Sequence, residues 1–200
     1  MKIAALVLVL SSATAFAGPP THCGDGRPGL AIDVAKQPPS HDPVRALDPE
    51  LAHYLAIAFP TGLDFDPDKP AVAAASAKRF TSWFVAKTDA SQVLAGKYGA
   101  LLATATWPQQ IAAAARLGQL TEHFADTLLT AEVPSSIRRG EFAAEATEAY
   151  CDTLADKAQD ILESSLEKYK ACAERATRLA VSNEWSKLCD ARIAALTATP

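Results

Sequence analysis

Four cysteines, four histidines and several closely spaced carboxylates are the residues of this 200-residue chain whose types could carry chemistry. Cys23, Cys151, Cys172 and Cys189 contain no C-x-x-C pair, which removes the common zinc spacing and the thioredoxin-type redox motif. An even set of this kind suits two disulfides formed in an oxidising compartment. His22, His41, His53 and His123 make no H-x-x-x-H and no H-E-x-x-H, and only His22 adjoins a cysteine. Each therefore reads as a surface or structural histidine. Glu122-His123, with Phe124 beside it and Asp126 within a turn, is the one pair that merits mutation.

Asp64, Asp66 and Asp68 alternate as they do at the opening of a calcium loop. That loop requires Gly at position six and a bidentate Glu at twelve, and counting from Asp64 those positions hold Lys69 and Ala75. A turn capped by Asp and leading into a helix that begins at Pro70 is the better reading. Glu141, Glu145, Glu148 and Asp152 share one helical face. An acidic, solvated face near a helix start is favoured by the helix dipole and needs no catalytic role. No serine sits in a G-x-S-x-G elbow, and Gly24-Asp25-Gly26 runs into Arg27-Pro28-Gly29 with no strand-helix unit behind it. The chain is thus expected to be non-enzymatic, with no catalytic residue, no cofactor and no metal site.

The elements that must position these residues begin with an export signal. Met1-Lys2, the apolar run Ile3 to Leu10 and the closing Ala15-Phe16-Ala17 give a basic start, a core too short to span a bilayer and an A-x-A cleavage site. Residues 1–17 are expected to be removed, leaving no transmembrane anchor. Pro20-Thr21-His22 before Cys23 lacks the small and aliphatic residues of lipoprotein processing. The protein is accordingly expected in the periplasm, the outer envelope or the medium.

Residues 18–47 are dense in turn formers, among them Pro38-Pro39 and Asp42-Pro43, and read as an extended leader. Residues 48–197 then form one helical domain. Its first helix is expected to open at Asp48-Pro49-Glu50, with Asp48 as cap, and to end at Pro60 and Gly62. Val72, Phe80, Trp83, Phe84 and Val85 supply the face of a second helix, and Asp89 is expected to cap a third through Val93 and Tyr98. Thr106-Trp107-Pro108 opens the next helix, which runs to Leu129 ahead of Pro134. From about Gly140 to Ala180 apolar residues fall on one stripe with no internal Pro or Gly, which predicts one long helix or two joined by a kink. A turn at Val181-Ser182-Asn183 leads to a last helix from about Glu184 to Leu196. Alternating strand patterns are absent, so the fold class is all-α, built of antiparallel helical hairpins.

If the long helix is unbroken, Cys151 and Cys172 lie roughly 30 Å apart, at about 1.5 Å per residue. Bonded cysteines need Cα atoms within about 7 Å. The two cannot pair. The turn near residue 181 brings Cys189 opposite Cys172, which leaves Cys23 to staple the leader to Cys151.

Composition bounds the partners. The chain is 49% hydrophobic and 21% charged with a net charge of −4, or −5 once Lys2 is lost with the signal. A mildly acidic protein has no general attraction to nucleic acid. Trp83, Trp107 and Trp185 lie near helix starts or on apolar faces, and of these Trp107 and Trp185 are the candidate partner-binding residues.

Trp107 to Pro134, with Ala112 to Ala115, Arg116-Leu117-Gly118 and Phe124-Ala125, followed by Tyr150, Leu154, Ala158, Tyr169 and Cys172, resembles the C-terminal part of bacterial cell-envelope tetratricopeptide-repeat proteins. Asn183-Glu184-Trp185-Ser186-Lys187-Leu188-Cys189 is similar to the start of another repeat helix. Leu117-Gly118 and Trp185 with Leu188 match the Trp-x-x-Leu-Gly pattern of the first repeat helix, while Ala114 and Cys189 depart from it. The resemblance implies an array of helical hairpins whose surface binds another protein of the envelope, as adaptor or scaffold. A small-ligand binder or enzyme with a pocket between helices is the alternative, and a purely structural envelope component a third.

Overall fold

A computed structural model describes residues 19–24, 30, 32–40 and 42–198. The expected signal peptide and His41 lie outside these residues. Five α-helices account for the architecture: α1 (Asp48–Leu55), α2 (Pro70–Thr104), α3 (Trp107–Leu129), α4 (Ala143–Arg178) and α5 (Glu184–Thr197). Among the described residues extended pairing is limited to one isolated bridge, His22 with Glu132, and the fold is all-α. No helix among them is long and apolar enough to cross a membrane.

α3 is the axis of the molecule. Every residue from Ile111 to Leu120 is buried, and α2, α4 and α5 all pack against it. A helix that is buried all round must be largely apolar, with any polar group paired, and narrow enough to let its neighbours close in. Ala112, Ala113, Ala114 and Ala115 supply that narrow girth, each at most 4% exposed. Gly118 serves the same end. A Cβ there would lie 2.5 Å from Cε1 of Tyr169, so the tyrosine ring of α4 rests directly on the α3 backbone. Ser165, one turn away on α4, donates a hydrogen bond to the Gly118 carbonyl at 3.0 Å.

The helix ends follow local chemistry, with three departures from expectation. Asp48 is the first residue of α1 rather than its cap, because its carboxylate is drawn to Arg116 of α3 at 2.9 Å. α1 stops at Leu55, short of Pro60 and Gly62. The Lys87 ammonium takes up the freed carbonyls of Tyr54 at 2.8 Å and Ile57 at 3.1 Å, so the early ending leaves them satisfied. Asp89 caps nothing: α2 runs unbroken for 35 residues. With no Pro or Gly between Ala71 and Ala95, the small propensity cost of one Asp cannot break it.

α3 opens on Thr106, whose amide and hydroxyl both donate to Oε1 of Gln109, at 2.8 and 2.7 Å. α4 is one continuous helix of 36 residues. It ends through a left-handed residue, Ala180 at φ 51, with the Val181 amide returning to the Ala176 carbonyl at 3.0 Å. Asn183 then caps α5, accepting from the Ser186 amide at 2.9 Å.

The two disulfides join the cysteines that the unbroken α4 leaves in reach of one another. Cys23 bonds Cys151 across 5.4 Å between Cα atoms, and Cys172 bonds Cys189 across 6.3 Å. The first fixes the leader, assisted by backbone hydrogen bonds from Cys23 to Ala131 and from Val133 to Thr21, both 2.9 Å. Later in the leader, 3-10 turns at Val34–Lys36 and Arg45–Leu47 alternate with extended residues, and Val44 is fully buried.

Candidate functional site

Side chains projecting from α3 show where polar chemistry is concentrated and what it is committed to. Arg116, Gln119 and Glu122 recur at three-residue steps, so they line one side of the helix, and all three are buried. Arg116 pairs with Asp48, donates to Gln119 at 3.2 Å and lies over the Trp185 ring at 4.9 Å. Burial alone pushes its guanidinium below the usual arginine range, and these contacts keep it charged. Gln119 donates to Gln37 of the leader at 2.6 Å. Glu122 accepts from the Tyr169 hydroxyl at 2.8 Å and from Arg192 of α5 at 3.1 Å, with a second, shorter contact to the same guanidinium. Together these groups tie α3 to α1, α4, α5 and the leader, and the set works as a structural ladder.

Glu122, His123 and Asp126, adjacent in sequence, diverge in space. His123 meets Tyr54 edge to face at 5.6 Å, and its Nδ1 is buried without a hydrogen bond. Burial, aided by the nearby Lys87 charge, depresses its pKa to about 4, so the ring is neutral at ordinary pH. Asp126 instead accepts the Leu30 amide of the leader at 2.6 Å. Lys87 is fully buried and sits over the Tyr54 ring at 3.9 Å. Desolvation lowers its pKa to about 8, while the two carbonyls and the ring face favour the ammonium.

The remaining sequence candidates resolve simply. Asp64 accepts the Asp66 amide and Asp66 the Asp68 amide, at 3.1 and 3.0 Å, and Lys69 pairs with both Asp64 and Asp66; this is a capped turn. Glu141, Glu145, Glu148 and Asp152 are exposed along the start of α4, and His22 and His53 are exposed.

Trp107 and Trp185 separate. Trp107, the first residue of α3, is 58% exposed. Trp185 is 3% exposed, held under Arg116 with its indole N–H donating to the Pro39 carbonyl at 3.1 Å. The expectation that Trp185 meets a partner at the surface is corrected on this point: the leader covers the ring, and Trp185 is a core residue. The starts of α3 and α5 nevertheless meet at one corner. A cleft of about 240 Å³ opens where α3 and α5 begin, walled by Pro108, Gln109 and Ala112 on one side, Trp185 on another and Pro38-Pro39 of the leader on a third. Trp107 directly precedes this wall. Sequence periodicity does not reveal the cleft, because it depends on the path of the leader.

Neither a family model, nor a curated protein, nor a solved structure matches the chain.

Proposed function

We propose that the protein is exported, is held oxidised by its two disulfides, and acts without catalysis as an adaptor that docks another envelope protein at the corner where α3 and α5 begin. One observation carries this reading: Trp107 stands 58% exposed and directly precedes Pro108, which with Pro38, Pro39 and Trp185 and with the polar Asn183 and Glu184 lines a cleft. Tryptophan is among the residues that most often dominate binding energy at protein interfaces. The tetratricopeptide resemblance belongs to this proposal as a source of helical hairpins with partner-binding surfaces. Since α2 and α4, at 35 and 36 residues, each exceed the 34 residues of a whole repeat, the proposed relation is to a divergent form.

The small-ligand alternative is the weaker one. The buried ionisable groups of α3, Arg116 and Glu122, are already paired with Asp48, Tyr169 and Arg192 and do not converge on a cleft. Affinity purification from native cells tests the adaptor reading, comparing wild type with Trp107→Ala under crosslinking. A protein captured by wild type and lost from a folded Trp107→Ala variant supports it. Equal capture by both refutes the placement at this corner. N-terminal sequencing of the exported chain should begin at Gly18, and retention of Met1 would refute processing.

A further inference from the structure

The leader crosses the corner of α3 and α5 in the manner of a bound peptide. Gln37 has φ −68 and ψ 158, a polyproline II conformation. Gln37 and Pro38 each precede a proline, which confines both to extended backbone, and each proline ring fixes φ near about −65°. Gln37-Pro38-Pro39 is therefore a short polyproline II segment by its own chemistry. None of the described residues from 30 to 43 is buried, while Cys23 and Val44 anchor the leader on either side. Lifting the stretch between those anchors removes no leader side chain from the core.

Donors hold the segment in its seat. The Trp185 indole N–H donates to the Pro39 carbonyl at 3.1 Å, the Gln109 side-chain amide to the Asp42 carbonyl, and the Gln119 amide to the Gln37 side chain at 2.6 Å. The acceptor oxygens of both glutamines are turned to other partners, Gln109 to Thr106 and Gln119 to Arg116. These three side chains thus offer the leader N–H groups and no acceptor. Ordinary residues would bring N–H groups that these side chains cannot satisfy, whereas prolines bring carbonyls and no N–H. Two of the three bonds go to main-chain carbonyls, so they read extended backbone and not the leader's own side chains. An indole N–H on a carbonyl of a preformed polyproline II segment is the chemistry of proline-segment recognition. The cleft walled by Pro108 and Trp185 runs directly beside it.

We propose that this corner is a recognition site for an extended, proline-bearing segment, filled in the free protein by the leader's own Gln37-Pro38-Pro39 and taken by such a segment of the partner when the leader lifts. Trp185 keeps its ring in the core and presents only its N–H. The inference rests on the docking corner proposed above and gives its partner a chemistry. The two fail separately, because crosslinking at Trp107 asks whether a protein docks here and a synthetic peptide asks what the seat accepts.

The probe is a synthetic peptide of leader residues 36–43, beside a counterpart with alanine in place of its Pro-Pro pair. Each is titrated into the oxidised full chain and followed by nuclear magnetic resonance of the Trp185 indole N–H. The chain is used as wild type and with Gln37→Gly, Pro38→Gly, Pro39→Gly and Ser40→Gly together, which keeps the backbone but removes the preformed segment. The glycine variant should bind the proline peptide with a Kd below about 1 mM, and the alanine peptide at least about tenfold more weakly. Wild type, with its seat open about a tenth of the time or less, should bind the proline peptide at least about tenfold more weakly than the variant. No shift of the Trp185 resonance in the variant up to about 1 mM peptide overturns the proposal and leaves the seat to the leader alone. Equal affinity for the two peptides, or equal affinity of wild type and variant, overturns it as well. Circular dichroism checks the fold. If the glycine variant does not fold, Pro38→Ala with Pro39→Ala takes its place and the same outcomes decide.

Discussion

At the scale of single residues, Gly118 and His123 carry most of the consequences. Gly118→Ala places a methyl 2.5 Å from the Tyr169 ring, in a core where the ring is fully buried and its hydroxyl is fixed by Glu122. The tyrosine cannot move without breaking that bond. The substitution should destabilise the protein by about 1–3 kcal/mol in urea unfolding, the usual scale of overpacking. His123 gives a signature in pH. Its folded pKa of about 4 lies below the ordinary histidine value of 6.5, so between those values the unfolded chain holds the proton and the folded chain does not. This contribution is complete above pH 6.5 and is lost as pH falls toward 4, by up to about 3 kcal/mol. Stability of His123→Gln should be correspondingly flatter over that interval. Equal slopes for variant and wild type would show that His123 does not titrate in this way.

At the scale of elements, the helices were largely legible and their roles were not. The Pro- and Gly-free stretch after Gly140 predicts one long helix or two joined by a kink; α4 is the unbroken one, and at about 1.5 Å per residue that decides which sulfurs can meet. α3 carries a comparable signal: Ile111 to Leu120 holds Arg116 and Gln119 as its only polar side chains, which marks a helix buried on all sides. Asp48 and Asp89 misled because a local capping preference of about 1 kcal/mol yields to a tertiary partner or to helix continuity. The orientation of Trp185 was illegible for another reason. Its burial depends on a leader rich in Pro and Gly, whose path no periodicity encodes. The junction of α4 and α5 offers a direct test of this local account. Ala180 occupies the left-handed region, where a Cβ costs about 1 kcal/mol, so Ala180→Gly should raise stability by about 0.5–1 kcal/mol. A loss of stability would show that the turn is held by something other than backbone geometry.

Across the whole molecule, a central helix is clamped by its neighbours and the leader is fastened over it at several points. The Cys23–Cys151 bond spans 128 residues of sequence, and long closed loops gain most from crosslinking in the chain-entropy account. Removing both cysteines, as Cys23→Ser with Cys151→Ser, should cost about 2–5 kcal/mol in denaturant unfolding. It should also release the leader, read as faster proteolysis of residues 30–44 than of the helical body. The leader forms one wall of the cleft beside Trp107, so this bond also bears on the proposed docking corner.

The most direct measurement of the central claim is site-specific photocrosslinking in native cells, with the photoreactive residue at position 107 and, as control, at the exposed position 148. A discrete protein adduct from position 107 that is absent from position 148 is the predicted result. No adduct from position 107, or the same adducts from both, would contradict an adaptor that docks at the corner of α3 and α5.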